Sequence, residues 1–192
     1  MLVLLDNGHG KDTPGKRSPK WPDGRQLFEY EFNRDIVYRI ARMCEAANIG
    51  YGLLVPEIED ISLGERVRRA NMVAKQHPGS FLISVHANAG GGTGWEAWTS
   101  PGQTRSDEIA DLLYIEAIKA LPGIKIRTDK HSDGDMDKES RFYILRKTTC
   151  PAVLTENLFM DNQKDCEYLL SDEGRQIIAR LHFDAIRKIF KK

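Results

Sequence analysis

Apolar runs of strand length alternate with helical patterns along the whole chain, and this alternation constrains the fold more than any other feature of the sequence. The strand candidates are Leu2–Asp6, Tyr51–Val55, Phe81–Val85, Trp95–Thr99, Phe142–Leu145 and Ala152–Thr155. The helix candidates are Glu31–Ala47, Leu63–Gln76, Arg105–Ala120 and Gly174–Phe190. Strand–helix alternation of this kind predicts an α/β domain of three layers, a mostly parallel sheet with helices on both faces. The 192 residues suit one such domain, taken here as residues 1–192. The first, third and last strands are nearly all apolar, as strands buried on both faces should be.

The helical patterns hold up residue by residue. Phe32, Ile36, Ile40, Met43, Cys44 and Ala47 recur at three- and four-residue steps and form one buried stripe. Ile178, Leu181, Ala185, Ile186 and Ile189 repeat the pattern near the C-terminus. Gly50 and Gly123 follow helical patterns and suit helix stops. Three segments read as loops: Gly10–Leu27, Ala87–Gly94 and the acidic stretch Gly123–Ser140. The first two begin just past a strand's C-terminal end, the edge where open parallel sheets build their active sites.

Charge and cysteine content narrow the function classes. Lys+Arg and Asp+Glu balance at 28 each, which argues against nucleic-acid binding. No apolar run is long enough to cross a membrane, and a monomer is expected. Cys44, Cys150 and Cys166 are odd in number and lack CxxC spacing, so neither a disulfide framework nor a cysteine zinc knuckle is expected. Cys44 and Cys150 read as small buried hydrophobes. Met1–Leu5 has no basic flank and is too short for a signal peptide, so the chain reads as made in the cytoplasm without a leader.

The chemistry gathers at strand ends. His9 follows the first strand in Asp6-Asn7-Gly8-His9-Gly10, and His86 follows the third in Ser84-Val85-His86-Ala87-Asn88. Two imidazoles at matching strand ends can meet at one point, and neutral imidazole is the commonest metal ligand. Glu29 lies three residues before Phe32 and seven before Ile36, so it faces the core side of the first helix's start. A carboxylate there is costly unless paired or bound to a metal. Capping the helix or pairing with a basic side chain is the plainer alternative. Glu31 instead shares a polar row with Asp35, Tyr38 and Arg42. Glu156 ends the apolar strand Ala152–Thr155, placed for acid/base work beside such a site. Two histidines and one carboxylate form an open zinc set that leaves a coordination position for water.

These blocks resemble the zinc-dependent N-acetylmuramoyl-L-alanine amidases of the amidase_3 type. Leu4–Gly10 is similar to the family's opening Asp-Pro-Gly-His-Gly. Glu29–Asn33 is similar to its glutamate block, and Phe81–Ala89, with Arg66 and Ala70-Asn71 upstream, to its second histidine block. Leu145-Arg146 followed by Pro151–Asn157 resembles its catalytic-glutamate block. The resemblance implies a six-stranded sheet, a zinc ion (Zn2+) on His9, Glu29 and His86, and Glu156 as catalytic acid/base. It implies cleavage of the amide between N-acetylmuramic acid and L-alanine in peptidoglycan, with action at the cell wall. Asn88 is expected to bond the stem peptide, and Arg146 either to pair with a stem-peptide carboxylate or to form an ordinary surface salt bridge. Asn7 departs from the family's proline, and Asn157 from its glycine or threonine, a change expected to alter the pocket wall.

Other readings carry less. A zinc carboxypeptidase would use a similar ligand set, and a wall-binding module would keep the fold without turnover. Gly10–Lys16 fits the start of a phosphate-binding loop, but Arg17 stands where Ser or Thr is needed, and Pro19 and Pro22 oppose the required helix. Asp129–Asp137 has the look of a calcium loop, yet His131 and Ser140 occupy ligand places, so a solvated acidic loop is expected. Some family members carry an inserted autoinhibitory helix, and no segment here is long enough to suggest one. Purified protein is therefore predicted to digest cell-wall sacculi unaided; a strict requirement for a second protein would contradict this.

Overall fold

A computed structural model describes residues 1–131 and 134–191. The elements run β1 (Val3–Asn7), α1 (Glu29–Ala46), β2 (Tyr51–Leu53), α2 (Leu63–Gln76), β3 (Phe81–Asn88), β4 (Trp95–Thr99), α3 (Arg105–Ala120), β5 (Lys138–Glu139), α4 (Tyr143–Lys147), β6 (Ala152–Phe159), α5 (Gln163–Leu170) and α6 (Asp172–Ile189). Six strands form one sheet in the order β2-β1-β3-β6-β4-β5. The β4–β6 pairing is antiparallel and the other strand pairings are parallel.

Alternation along the strands divides the core. Val3, Leu5, Phe81, Ile83, Val85 and Val153 face one layer, where α1 packs Phe32, Ile36 and Ile40, α3 packs Leu113, and α6 packs Ile178 and Leu181. Leu4, Leu82, Ala152 and Leu154 face the other layer, against Val67 and Ala70 of α2 and Ile144 and Leu145 of α4. Each buried Leu, Ile or Phe contributes about 1.5–3 kcal/mol, so the two apolar faces dominate stability.

The structure corrects several sequence expectations. Phe142–Leu145 is not a strand: Tyr143–Lys147 is helix α4, which buries the adjacent pair Ile144 and Leu145 while Phe142 and Tyr143 stay exposed. Burial of adjacent residues fits a helical turn and breaks the two-residue period of a strand. The sixth strand is instead Lys138–Glu139, a two-residue pairing inside the acidic stretch. β3 runs on through Asn88, so the glycine loop begins later than expected. At the end of α1, Asn48 takes the left-handed conformation (φ 53°) rather than Gly50, and Ala47 is exposed. Gly123, past α3, does turn left-handed (φ 80°). Cys44 and Cys166 are buried, whereas Cys150 is only half-buried.

His182 of α6 is fully buried, with one partner on the sheet and one on its own helix. Its Nε2 lies 2.9 Å from Thr155 Oγ1 and its Nδ1 2.7 Å from the Ile178 carbonyl. The carbonyl only accepts, so Nδ1 carries the proton and Nε2 accepts from the hydroxyl. Burial holds the imidazole neutral, lowering its pKa from 6.5 to about 4. The contribution of neutral His182 is therefore full above pH 6.5 and is lost as pH falls toward 4. Thermal denaturation across this window should show wild type losing up to about 3 kcal/mol more than His182→Gln. Parallel pH curves for the two proteins would contradict the neutral assignment.

Candidate metal centre

Strand register assembles the site. Asp6 pairs with Ser84, His86 pairs with Glu156, and Glu156 pairs across β4 with Glu96. Paired residues point to the same face, so His86, Glu156 and Glu96 form a row at the C-terminal edge of the sheet. The turn after β1 brings His9 beside this row. One ligand atom from each of His9, Glu29 and His86 lies within 4.8 Å of the other two. The two imidazoles meet edge to face at 4.9 Å between centroids.

Two backbone features allow this approach. His9 itself, not its flanking glycines, adopts the left-handed region at φ 64°, an uncommon conformation that a non-glycine residue holds only when its surroundings enforce it. Gly8 supplies room, since a Cβ there would lie 2.0 Å from His86 Cε1. The turn is clamped from below. Arg66, 2% exposed, donates to Asp6 Oδ1 (2.6 Å), to the Asn7 carbonyl (2.8 Å) and to Asp60 (3.1 Å). Ser84 Oγ donates to Asp6 Oδ2 at 2.5 Å, and the Gly8 amide donates to the Val85 carbonyl.

Glu29 is 1% exposed. Its Oε1 stands 3.1 Å from His86 Nδ1 and 3.5 Å from His9 Nε2, and it accepts from the Ala87 amide at 3.3 Å. Its Oε2 has no hydrogen-bond partner, although the Lys16 ammonium stands 3.8 Å away. Burial pushes the Glu29 carboxyl up, but the His86 hydrogen bond and the charges of His86, His9 and Lys16 outweigh it and hold the group below its usual range. Burial lowers His9 to about 4. Burial also acts to lower His86, and the Glu29 hydrogen bond and charge more than reverse it. Burial raises Glu156 to about 7, and its Oε2 is buried without a hydrogen-bond partner.

These residues open onto a cavity of about 400 Å³. Gly8, His9, His86 and Glu156 line one side, with Lys16, Asp60 and Arg66 around them; Ile61, Leu63, Phe142 and Tyr143 form an apolar wall. Asn88 and Arg146 are not brought to this lining. Asn88 donates to Glu96 of β4 at 2.8 Å and accepts from the Ala89 amide, which occupies both ends of its side-chain amide. Arg146 is exposed on α4. Asn157 does not form the pocket wall either. It is fully buried on the other face, donating to the His86 carbonyl (2.9 Å) and accepting from the Trp95 indole (2.8 Å). Lys16, Glu96 and the apolar wall escaped the sequence reading; only the strand alternation that sets Glu96 opposite Trp95 signalled one of them.

A family model described as N-acetylmuramoyl-L-alanine amidase matches residues 3–188. The chain belongs to the N-acetylmuramoyl-L-alanine amidase family. It is 30% identical over 191 residues to N-acetylmuramoyl-L-alanine amidase CwlM of Bacillus licheniformis, covering 99% of this chain and 69% of that protein. It is 33% identical over 202 residues to an endolysin of Bacillus phage SPP1, covering 98% of this chain and 65% of the endolysin. The fold is similar to an N-acetylmuramoyl-L-alanine amidase of Nostoc punctiforme, with TM-score 0.82 at 23% identity over 100% of this chain and 98% of that one.

The contact between Gly8 and His86 generates a direct expectation. Gly8→Ala drives a methyl into the imidazole and should weaken binding of a divalent metal at this group about 10–100-fold, the usual cost of disturbing a group that orients a ligand. Competition against a chromophoric chelator measures this; unchanged affinity would show that the imidazole has room to move.

Proposed function

We propose that this chain hydrolyses the amide between N-acetylmuramic acid and L-alanine in peptidoglycan, with zinc held by His9, Glu29 and His86 and with Glu156 as acid/base. The observation that carries this reading is the buried Glu29 carboxylate set between two imidazoles, one oxygen unpartnered, beside the half-buried Glu156, whose Oε2 is also buried without a partner. Two nitrogens and one oxygen, open to a cavity, suit a catalytic zinc set. Zinc bound there would supply a water acidic enough to ionise near neutral pH and would polarise the amide carbonyl.

The chain's own residues supply the rest. Glu156 lies on the strand directly beside His86 and holds a pKa near neutrality, about 7. A group so poised can take a proton from the attacking water and return it to the departing nitrogen. Gly8 and the Arg66–Asp6 pair fix both imidazoles before substrate arrives. The apolar wall of Ile61, Leu63, Phe142 and Tyr143 excludes water from one side of the reacting bond and offers surface to the substrate. Among the described residues, no helix is long and apolar enough to cross a membrane, and action at the cell wall follows from the substrate.

Glu156→Gln should lower hydrolysis of sacculi by at least about 10²–10⁴-fold while zinc content stays at wild-type level. Retained activity would remove Glu156 from its assigned role. Digests by wild type should release intact stem peptides; release of single amino acids would point to a carboxypeptidase instead.

A further inference from the structure

A second group of carboxylates stands at the β4–β5 edge. One oxygen from each of Asp107, Asp135 and Asp137 lies within 4.8 Å of the other two. Asp107 sits in the first turn of α3 and is 9% exposed; Asp137 immediately precedes β5 and is 1% exposed. The sequence expectation of a solvated acidic loop therefore fails at Asp137, while Asp133 lies outside the described residues. Lys138, the next residue, pairs with Glu96 at 2.8 Å.

An independent observation points to a ligand. Asp137 Oδ2 accepts from Thr99 Oγ1 at 2.6 Å, but Oδ1 is buried and has no hydrogen-bond partner. A carboxylate oxygen shut away from water without a donor is costly. Burial, with like charge from Asp135 and Asp107, pushes the Asp137 carboxyl up to about 7. A cation held between the three carboxylates would offset this burial and satisfy the unpaired Asp137 oxygen.

We propose that Asp107, Asp135 and Asp137 hold a structural calcium ion, separate from the His9–Glu29–His86 group. The donors are all carboxylate oxygens, which suit a hard cation and not zinc. Two donors come from an irregular segment before β5 and one from a helix start, a spread that calcium's flexible coordination tolerates better than magnesium's strict octahedron. The ion ties β5 to the first turn of α3. Through Lys138 it also steadies Glu96, which faces Glu156 across the β4–β6 pair.

Thermal unfolding of the full chain, stripped with chelator and reloaded with zinc alone, tests this at pH 7.5 with added calcium chloride. Saturating calcium, about 10 mM for a weak site, should raise Tm by about 5 °C. Asp137→Asn should abolish the shift. Should that variant not fold by circular dichroism, the half-buried Asp135→Asn serves the same purpose. Glu29→Gln should keep the shift, because it alters only the other group. A Tm indifferent to calcium would overturn the proposal in favour of a shared proton. So would a full shift in the folded aspartate variant, a loss of the shift in Glu29→Gln, or a response to magnesium alone.

Discussion

The arrangement depends on a carboxylate that cannot be neutralised by solvent. Glu29 is nearly sealed from water, and two imidazoles, one backbone amide, the Asn33 side-chain amide and a distant ammonium are its polar neighbours. Burying such a charge is expensive, and the two histidines offset only part of that cost when neutral. A divalent cation bound as proposed would resolve the conflict, because it would satisfy the carboxylate and both ring nitrogens together. In the proposed reading the first turn of α1 contributes a ligand rather than an ordinary cap: Phe28 at the N-cap position makes no side-chain bond to the helix.

Around that carboxylate, the fold works mainly to limit motion. β3 supplies His86 and β6 supplies Glu156 in direct register, so their separation is set by sheet hydrogen bonding and not by loop conformation. Asn157, alternating to the opposite face, holds the His86 carbonyl. Arg66 reaches from α2 to hold the turn that carries His9, and its buried pairing with Asp6 would be costly to break from one side. Asp161 and Asp165 grip the amides of Gly90, Gly91 and Gly94, which fixes the glycine loop beside β3. Each brace is a polar group placed where apolar packing alone would leave a choice of geometries.

Much of this was legible in the sequence because the strongest signals are periodic. The stripe Phe32-Ile36-Ile40-Cys44 is fully buried as its spacing requires, and α2 and α3 begin and end where their patterns do. The same stripe placed Glu29 inward, and strand ends placed His9, His86 and Glu156 at one edge. Phe142–Leu145 was misread because a four-residue apolar run fits a helical turn as well as a strand. β5 left no signal, since two charged residues pair only through their backbones. Asn88, Arg146 and Asn157 lie off the cavity lining for a different reason. Position near a ligand in sequence does not say which face a side chain takes or which buried charge, such as Glu96, competes for it. Asp137 is the same lesson reversed: an acidic run looked solvated, and the fold buried one member of it.

X-ray absorption at the zinc edge tests the central claim most directly, because it reads the ligands themselves. The zinc-loaded protein should show two imidazole nitrogens and carboxylate or water oxygens at about 2.0–2.2 Å, with one imidazole lost in His86→Ala. A spectrum without imidazole scattering, or one unchanged by that substitution, would contradict the assignment of His9, Glu29 and His86 to a single metal.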